Sequence, residues 1–367
     1  MFQAKGEKTK GRVLVAMSGG VDSSVAAAIL LEQGYEVIGA TMQVWDYSKN
    51  QCVVDEGSGT CCSSMDVDDA RSVADRLGIP FYVINCEEKF KSTVIDNFVE
   101  SYMRGETPIP CVNCNTYLKF DHLLQKMQDL DCDYLATGHY ARIEKNLNGQ
   151  SVIVTSEDAW KDQTYFLFTL KPEVIDKLMF PVGTWQKSDL RNYAERLGLT
   201  VARKKDSTGI CFIGKTGYAQ FIESQVKPSD LKPGLLKRIG TDEVLGEHQG
   251  IHNFTIGQRK GLGVALGQPM YVVKIDSQTG TVWLGEEEHL FSRKLVVKNI
   301  NWFDEVACGD VIKTKIRFAH RGADAVISHK SDSEVTIEFM EKQRAVTAGQ
   351  AAVFYKDNRL VGGGWIC

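Results

Sequence analysis

Two groups of residues in this sequence could do chemistry. The first is the run Ala16-Met17-Ser18-Gly19-Gly20-Val21-Asp22-Ser23. Its glycines let the main chain approach phosphate oxygens, and the hydroxyls of Ser18 and Ser23 can donate hydrogen bonds to them. The loop has no lysine and contains Asp22, so it is not the Gly-Lys-Ser/Thr loop that handles a γ-phosphate. Asp22 either caps the following helix or holds a Mg²⁺ ion that screens the phosphates. The second group is a set of thiols. Cys111-Val112-Asn113-Cys114 follows Pro108 and Pro110, which predict an extended loop just before a helix. A helix N-terminus there would favour a thiolate, which is a nucleophile or a metal ligand. No second Cys-x-x-Cys exists and His248 and His252 lie in a different domain, so a zinc site lacks ligands. Cys211, in Lys204-Lys205-Asp206-Ser207-Thr208-Gly209-Ile210-Cys211-Phe212-Ile213-Gly214, belongs to an electropositive loop. A single cysteine before Phe-Ile is otherwise the pattern of a core residue, and residue pattern alone does not pair it with Cys114.

The elements around these residues alternate. Val13 to Met17 reads as a buried strand that runs into the glycine turn. Val21, Val25, Ala28 and Ile29 then mark a helical stripe that Gly34 ends. Val37 to Met42 is a second strand, Val67, Ala70, Ala74 and Leu77 a second helix, and Phe81 to Ile84 a third strand. Residues 117–129 read as a helix and Tyr134 to Thr137 as a strand. Such alternation predicts an α/β fold with a doubly wound parallel sheet and ligands at the strand C-termini. After Gly217 the frequent Pro and Gly suggest a small irregular domain. Further on, Tyr271–Val273, Thr281–Trp283, Val311–Phe318, Val335–Phe339 and Ala351–Tyr355 predict a small β-barrel or sandwich, with a hairpin turn at Asp276–Gly280; a C-terminal β-barrel is the expectation. The expected domains are 1–215, 216–289 and 290–367.

A chain of 367 residues agrees with that count at roughly 100–200 residues per domain. The 43% hydrophobic and 25% charged residues are those of a globular protein with proper cores. No apolar run reaches the ~18 residues of a membrane span, and no secretory pattern follows the polar N-terminus, so a cytoplasmic protein without membrane partners is expected. A net charge of -4 argues against coating nucleic acid by bulk positive charge, which leaves room only for a local basic track. Lys161, Arg203 to Lys205, Arg259-Lys260, Arg317, Arg321, Lys342 and Arg344 are its candidates. Ten cysteines are too sparse for a disulfide scaffold of this length. Cys52, Cys61, Cys62, Cys86, Cys132, Cys308 and Cys367 lack ligand-spaced partners and read as packing residues.

The loop from Ala16 to Ser23 resembles the PP-loop of the ATP pyrophosphatase group, which implies adenylation of a substrate oxygen with pyrophosphate as leaving group. The whole chain resembles the bacterial tRNA-specific 2-thiouridylases (the MnmA/TrmU family). The matching strings include that loop, Cys114-Asn115 with Lys119-Phe120, Ala136 to Tyr140, Lys161 to Leu167, Lys205 to Gly214, His252 to Gly263 and Ala348 to Tyr355. The resemblance implies ATP-dependent 2-thiolation of wobble uridine 34 in the tRNAs for Lys, Glu and Gln. It further implies a cysteine desulfurase or sulfur-relay protein as sulfur donor.

Carried over residue by residue, it makes Ala16, Met17, Ser18, Gly19, Gly20, Val21, Asp22, Ser23, Met42 and Gly138 the ATP site. Cys114 becomes the nucleophile and Cys211 the persulfide carrier; Cys114 either attacks the persulfide, releasing sulfide and closing a disulfide with Cys211, or guides the sulfur directly. His139, Lys161, Asp162, Gln163, Arg317, Phe318 and Gln350 match tRNA contacts, and Ile109, Pro110 and Cys111 match the stretch beside the target base.

One departure matters. Many members of the family have Asp where Cys111 stands and Asn where Ile109 stands. Three thiols, Cys111, Cys114 and Cys211, would suffice for a [4Fe–4S] cluster with one open iron carrying the sulfide in place of a persulfide. The competing functions are a PP-loop ligase or amidotransferase acting on a small molecule, and a non-catalytic RNA-binding or sulfur-carrier protein. Neither needs an intact phosphate loop together with both cysteines.

Overall fold

The computed structural model describes residues 9–45, 64–206, 209–213, 217–265 and 267–367. Cys52, Cys61, Cys62, Ser207, Thr208 and Gly214, named above, lie outside them. The chain divides into two compact units, 1–94 with 111–214 and 358–360, and 95–110 with 215–357 and 361–367.

In the first unit, continuous apolar runs build a sheet covered on both faces. Val13, Leu14 and Val15 of β1 (Arg12–Ala16) are fully buried, and β2 (Glu36–Gln43) is buried from Val37 to Thr41. With β3 (Phe81–Asn85), β4 (Tyr134–Thr137) and β7 (Leu178–Met179) they form a parallel sheet of order β3-β2-β1-β4-β7. This is the doubly wound topology expected. Successive strands run outward from β1 on one side and from β4 on the other, so the direction of winding reverses between them. The loops after these two strands diverge there and leave a crevice.

α1 (Val21–Glu32) is buried from Val21 to Leu30 except at Asp22, so it packs as a central helix rather than a surface one. It shares a core with α2 (Ser64–Leu77) and α7 (Lys187–Arg196) through Ala26, Ala70, Leu190 and Ala194. The hairpin of β5 (Ala141–Lys145) and β6 (Ser151–Thr155) completes this unit, with Arg359 paired to Val154.

The helix expected over 117–129 begins earlier, at Pro110. α5 (Pro110–Asn113), a π-helical stretch (Cys114–His122) and α6 (Leu123–Asp129) follow one another without a break. Pro110 occupies the first turn, where its missing N–H costs no hydrogen bond. Cys111 and Cys114 therefore sit on a helix, three residues apart and on neighbouring positions of one face, rather than in the extended loop the prolines suggested.

In the second unit, α4 (Asp96–Met103) and α8 (Tyr218–Gln225) meet through Phe98 and Phe221 and a stacked pair, Tyr102 and Tyr218. A four-stranded sheet of order β10-β11-β8-β9 uses β8 (Gly234–Arg238), β9 (Val244–His248), β10 (Tyr271–Asp276) and β11 (Thr281–Gly285). Asp276 accepts the N–H groups of Gln278 and Thr279 at 3.0 and 3.3 Å, which fixes the expected hairpin turn.

Next come β12 (Phe291–Trp302), β13 (Val311–Lys315), β14 (Ala323–Lys330), β15 (Glu334–Arg344), β16 (Ala351–Lys356) and β17 (Arg359–Ile366). They run β12-β15-β14-β13-β16-β17, and β17 pairs back onto β12, so the barrel closes and has no edge between these strands. Leu295, Ile312, Ile327, Ile337 and Phe354 fill it. The strand expected over Val311–Phe318 stops at Lys315, leaving Arg317 and Phe318 exposed.

Candidate active site

Ala16 pairs with Ala40 on one side and Thr137 on the other, so the loop after β1 opens at the reversal point of the sheet. Gly19 has φ +70°, and a Cβ there would overlap the main-chain carbonyl of Asp66. Only glycine fits this turn. Ser23 Oγ accepts the Ser18 N–H at 3.1 Å and donates to Gly20 O at 3.2 Å, which ties the two ends of the loop together. Gly20 is the N-cap and offers no side chain, so the first-turn N–H groups of α1 have no capping oxygen. A Cβ at Gly138, after β4, would come within 2.6 Å of Ser23 N. Two glycines from two strands thus keep an anion-sized cradle clear at a helix N-terminus.

Around Asp22 lies a charge network that sequence spacing did not foretell. Lys187 Nζ donates to both Asp22 oxygens at 2.7 and 2.8 Å, and Tyr140 O–H donates to Oδ1 at 3.0 Å. Burial and the Asp22 carboxylate together push the Tyr140 phenol up, so it stays a proton donor. Lys187 also lies 2.9 Å from Asp206, which takes Lys161 at 2.7 Å and Arg191 at 2.8 Å. Burial raises the Asp206 carboxyl, but hydrogen bonds from Lys161 and Lys187 outweigh it and hold it down at about 2. Asp22 is therefore neither a helix cap nor a ready metal ligand: an ammonium occupies both its oxygens. On the other side of the loop, Lys204 Nζ reaches Gly19 O at 3.0 Å, Asp66 at 2.6 Å and Asp69 at 2.6 Å.

The thiols lie in the same unit. Cys111 is exposed and Cys114 half-buried. Val112, Asn113 and Asn115 between and beside them face inward, and Thr116 Oγ1 bonds Thr169 Oγ1 at 2.6 Å, so the helix face is pinned. Cys211 is half-buried rather than in the core. Its neighbour Phe212 takes the core position, edge-on to Phe90 at 5.7 Å, with Trp45 on the other side of Phe90 at 5.9 Å. Phe90 ends α3 (Glu87–Phe90), which packs against the Cys114–His122 stretch, so one aromatic anchor links the Cys211 loop to the element that adjoins Cys114. Among the described residues no three Cys, His, Asp or Glu side chains gather as metal ligands. Cys111, Cys114 and Cys211 are not part of any such group. Burial pushes the Cys86 and Cys132 thiols up to about 11, in keeping with packing roles.

Most residues expected at RNA make hydrogen bonds within the protein. His139 is buried against Phe120 and Phe180 with Nδ1 2.7 Å from Thr137 Oγ1, and burial drives its pKa well below the usual range. Asp162 accepts from Thr164 and from the Ser156 N–H, while Gln163 Oε1 accepts the Tyr140 N–H at 3.0 Å. Lys161, Asp162 and Gln163 thereby seat Tyr140 and Asp206 beside Asp22. Several cations of the expected basic track are likewise neutralised locally, Arg203 by Glu195 and Arg344 by Glu287. In the second unit, Arg259, Lys260, Arg317, Phe318, Arg321 and Lys342 are exposed. Gln350 donates to Thr107 O at 2.8 Å and so steadies the segment leading to Ile109 and Pro110. His248 and His252 are buried and hydrogen-bonded, to Gly280 O and Glu223.

Lys187, Arg191 and Asp66 went unnoticed in the sequence because no spacing links them to the loop. The one available signal was a phosphate loop without a lysine of its own.

Comparison with known proteins gives three family matches. They are described as the tRNA methyl transferase HUP domain (residues 11–215), the tRNA methyl transferase PRC-barrel domain (219–286) and the aminomethyltransferase beta-barrel domain (292–366). The chain is 48% identical over 361 residues to the tRNA-specific 2-thiouridylase MnmA of Clostridium perfringens, covering 98% of this chain and 99% of that one. It is 45% identical over 361 residues to the protein of the same name from Geobacter metallireducens, with 98% of each covered. A solved complex of a 4-thiouridine synthetase with RNA and ATP is similar over 59% of this chain and 50% of that one. The TM-score is 0.35 and the sequence identity 16%.

Proposed function

The chain belongs to the tRNA-specific 2-thiouridylase family, and from that premise we propose that it thiolates C2 of the wobble uridine, U34, at the expense of ATP. The observation that carries this reading is the glycine-lined cradle at the β1/β4 reversal point in the same unit as Cys114 and Cys211. A phosphate site alone would serve any adenylating enzyme. Two half-buried thiols in the unit that holds it call for sulfur as the second substrate.

The reaction divides between the two groups. The α1 N-terminus and the Ser18 and Ser23 hydroxyls bind the phosphates, with Met42 and Gly138 beside the nucleotide. U34 leaves the anticodon stack so that its C2 oxygen can attack the α-phosphorus. Pyrophosphate departs into the loop and the oxygen becomes an adenylate. Cys211 carries the sulfur as a persulfide received from a desulfurase or relay protein. The Cys114 thiolate attacks Cys211 Sγ, closing a disulfide and expelling hydrosulfide. Hydrosulfide adds to C2, AMP leaves with the C2 oxygen, and an external dithiol reduces the disulfide for the next turnover. Mg²⁺ would be held chiefly by the nucleotide phosphates, screening their charge, with Asp22 the only carboxylate on the loop itself.

The test is radiosulfur transfer to tRNA that carries U34 and to the same tRNA with C34. Incorporation only in the first, with one pyrophosphate released per sulfur, is the expected result. Label in the C34 tRNA refutes the site of modification, and label without pyrophosphate refutes the adenylation step.

A further inference from the structure

We propose that Lys187 is the phosphate-binding lysine that the loop lacks: it waits on Asp22 and Asp206 and moves onto the nucleotide's phosphates when ATP binds. The inference rests on the reading that the loop binds ATP, and goes beyond it by assigning a residue 165 positions away in sequence.

Three observations support it. The first is place. Asp22 is the second residue of α1, so an ammonium 2.7 Å from its carboxylate lies at the mouth of the cradle where phosphate oxygens would sit. Lys187 begins α7, and its own N–H is fixed by Asp158 at 3.0 Å, so the base of the side chain is anchored while its ammonium is held by Asp22, Asp206 and the face of Tyr140. The second is chemistry. A flexible lysine is a point charge that moves between acceptors without demanding a bidentate geometry, and a triphosphate offers it more negative charge than two carboxylates do.

The third is that its departure strands nothing. Removing one partner from a half-buried ion pair is costly when the other is left bare. Here Asp22 keeps the Tyr140 hydroxyl, and Asp206 keeps Lys161 and Arg191. Each carboxylate that holds the lysine has a second donor, which a purely structural ion pair would not need. Once freed, Asp22 becomes available to the Mg²⁺ that accompanies ATP.

The experiment measures binding of ATP, inorganic pyrophosphate and adenosine to the full-length wild type, Lys187→Gln and Lys187→Arg by calorimetry, with thermal melts alongside. The expected result is that Lys187→Gln weakens ATP and pyrophosphate about 30-fold or more while adenosine binding stays within twofold, and that Lys187→Arg restores most of the loss. Equal weakening of ATP and adenosine, or unchanged pyrophosphate binding, overturns the proposal and leaves Lys187 a structural residue. If Lys187→Gln melts early, Lys187→Arg decides by the same comparison of pyrophosphate with adenosine. A wild type that binds neither ATP nor pyrophosphate refutes the functional reading itself, which is a separate outcome.

Discussion

Lys204 Nζ donates to the carbonyl oxygen of Gly19 at 3.0 Å, and so joins the segment that leads to Cys211 directly to the phosphate loop. The same ammonium bridges Asp66 and Asp69 of α2. Burial lowers the Lys204 pKa, but its two carboxylate partners overcome this and raise it, so the charge persists throughout the neutral range.

Replacing Lys204 by Met should therefore cost more than one surface ion pair. It removes one charged hydrogen bond from the buried Asp66 carboxylate, a loss of about 1.5–3 kcal/mol. Chemical denaturation should give a midpoint below wild type, and ATP affinity should fall because Gly19 loses its tether. Adding Asp69→Asn should recover part of the stability by removing excess negative charge. No recovery would mean the three groups are not coupled.

Gly138→Ala tests the steric claim about the cradle. The added methyl lies 2.6 Å from Ser23 N, against the helix end that is to bind phosphate. ATP affinity should drop at least about 10-fold, since displacing even one or two charged hydrogen bonds costs over 1.4 kcal/mol. The barrel and central sheet are untouched, and far-ultraviolet circular dichroism should match wild type. Unchanged ATP affinity would place the nucleotide elsewhere.

Asp206 gives a signed pH dependence. Its carboxyl is held at about 2 in the folded protein, below its unfolded value near ~3.9, so its contribution to stability is fully present above pH ~4. That contribution fades as pH falls from about 4 toward 2. The Tm difference between wild type and Asp206→Asn should be constant from neutral pH down to about 5 and shrink below that. A difference that grows on acidification would contradict the assignment.

Phe212→Ala removes a buried ring whose neighbour is Phe90. Truncating a fully buried Phe costs roughly 3–5 kcal/mol. Phe212→Leu keeps most of the volume and should keep the fold. In both, sulfur transfer should fall more than pyrophosphate release, because the anchor beside Cys211 is loosened while the phosphate loop is intact. Equal loss of both activities would show that Phe212 serves stability alone.

Cys114→Ser and Cys211→Ser should each abolish radiosulfur transfer to tRNA while pyrophosphate release continues. Only Cys211→Ser should also fail to accept a persulfide, read by mass spectrometry after exposure to a desulfurase and cysteine. A Cys114→Ser enzyme that turns over normally would remove its role as nucleophile. Cys111→Ser should keep substantial activity, in line with its exposed position and the absence of a three-thiolate set.

Much of this protein follows from local pattern. Val13 to Val15 and Val37 to Thr41 are apolar without interruption because both faces of the sheet are covered, so strand, turn and helix could be read directly. The glycine pair before α1 announced a phosphate loop because only that residue type tolerates φ +70° at Gly19 with Asp66 behind it. The strand pattern near the C-terminus announced a β-barrel or sandwich for a similar reason, since alternation with period two is a local property, and the pairing of β17 with β12 decided for the barrel.

The sequence by itself thus determined the parallel sheet, the run of C-terminal strands and the phosphate loop, because each is set by neighbouring residues. Tertiary structure alone decided the charges. Lys187 meets Asp22, and Lys204 meets Gly19, through contacts spanning 165 and 185 residues that no spacing rule encodes. It also turned His139 and Asp162 inward, where burial demands internal hydrogen-bond partners. Electrostatic partners act through space, at a distance in ångströms that is unrelated to distance along the chain. That is why the lysine missing from the loop became visible only once the chain was folded.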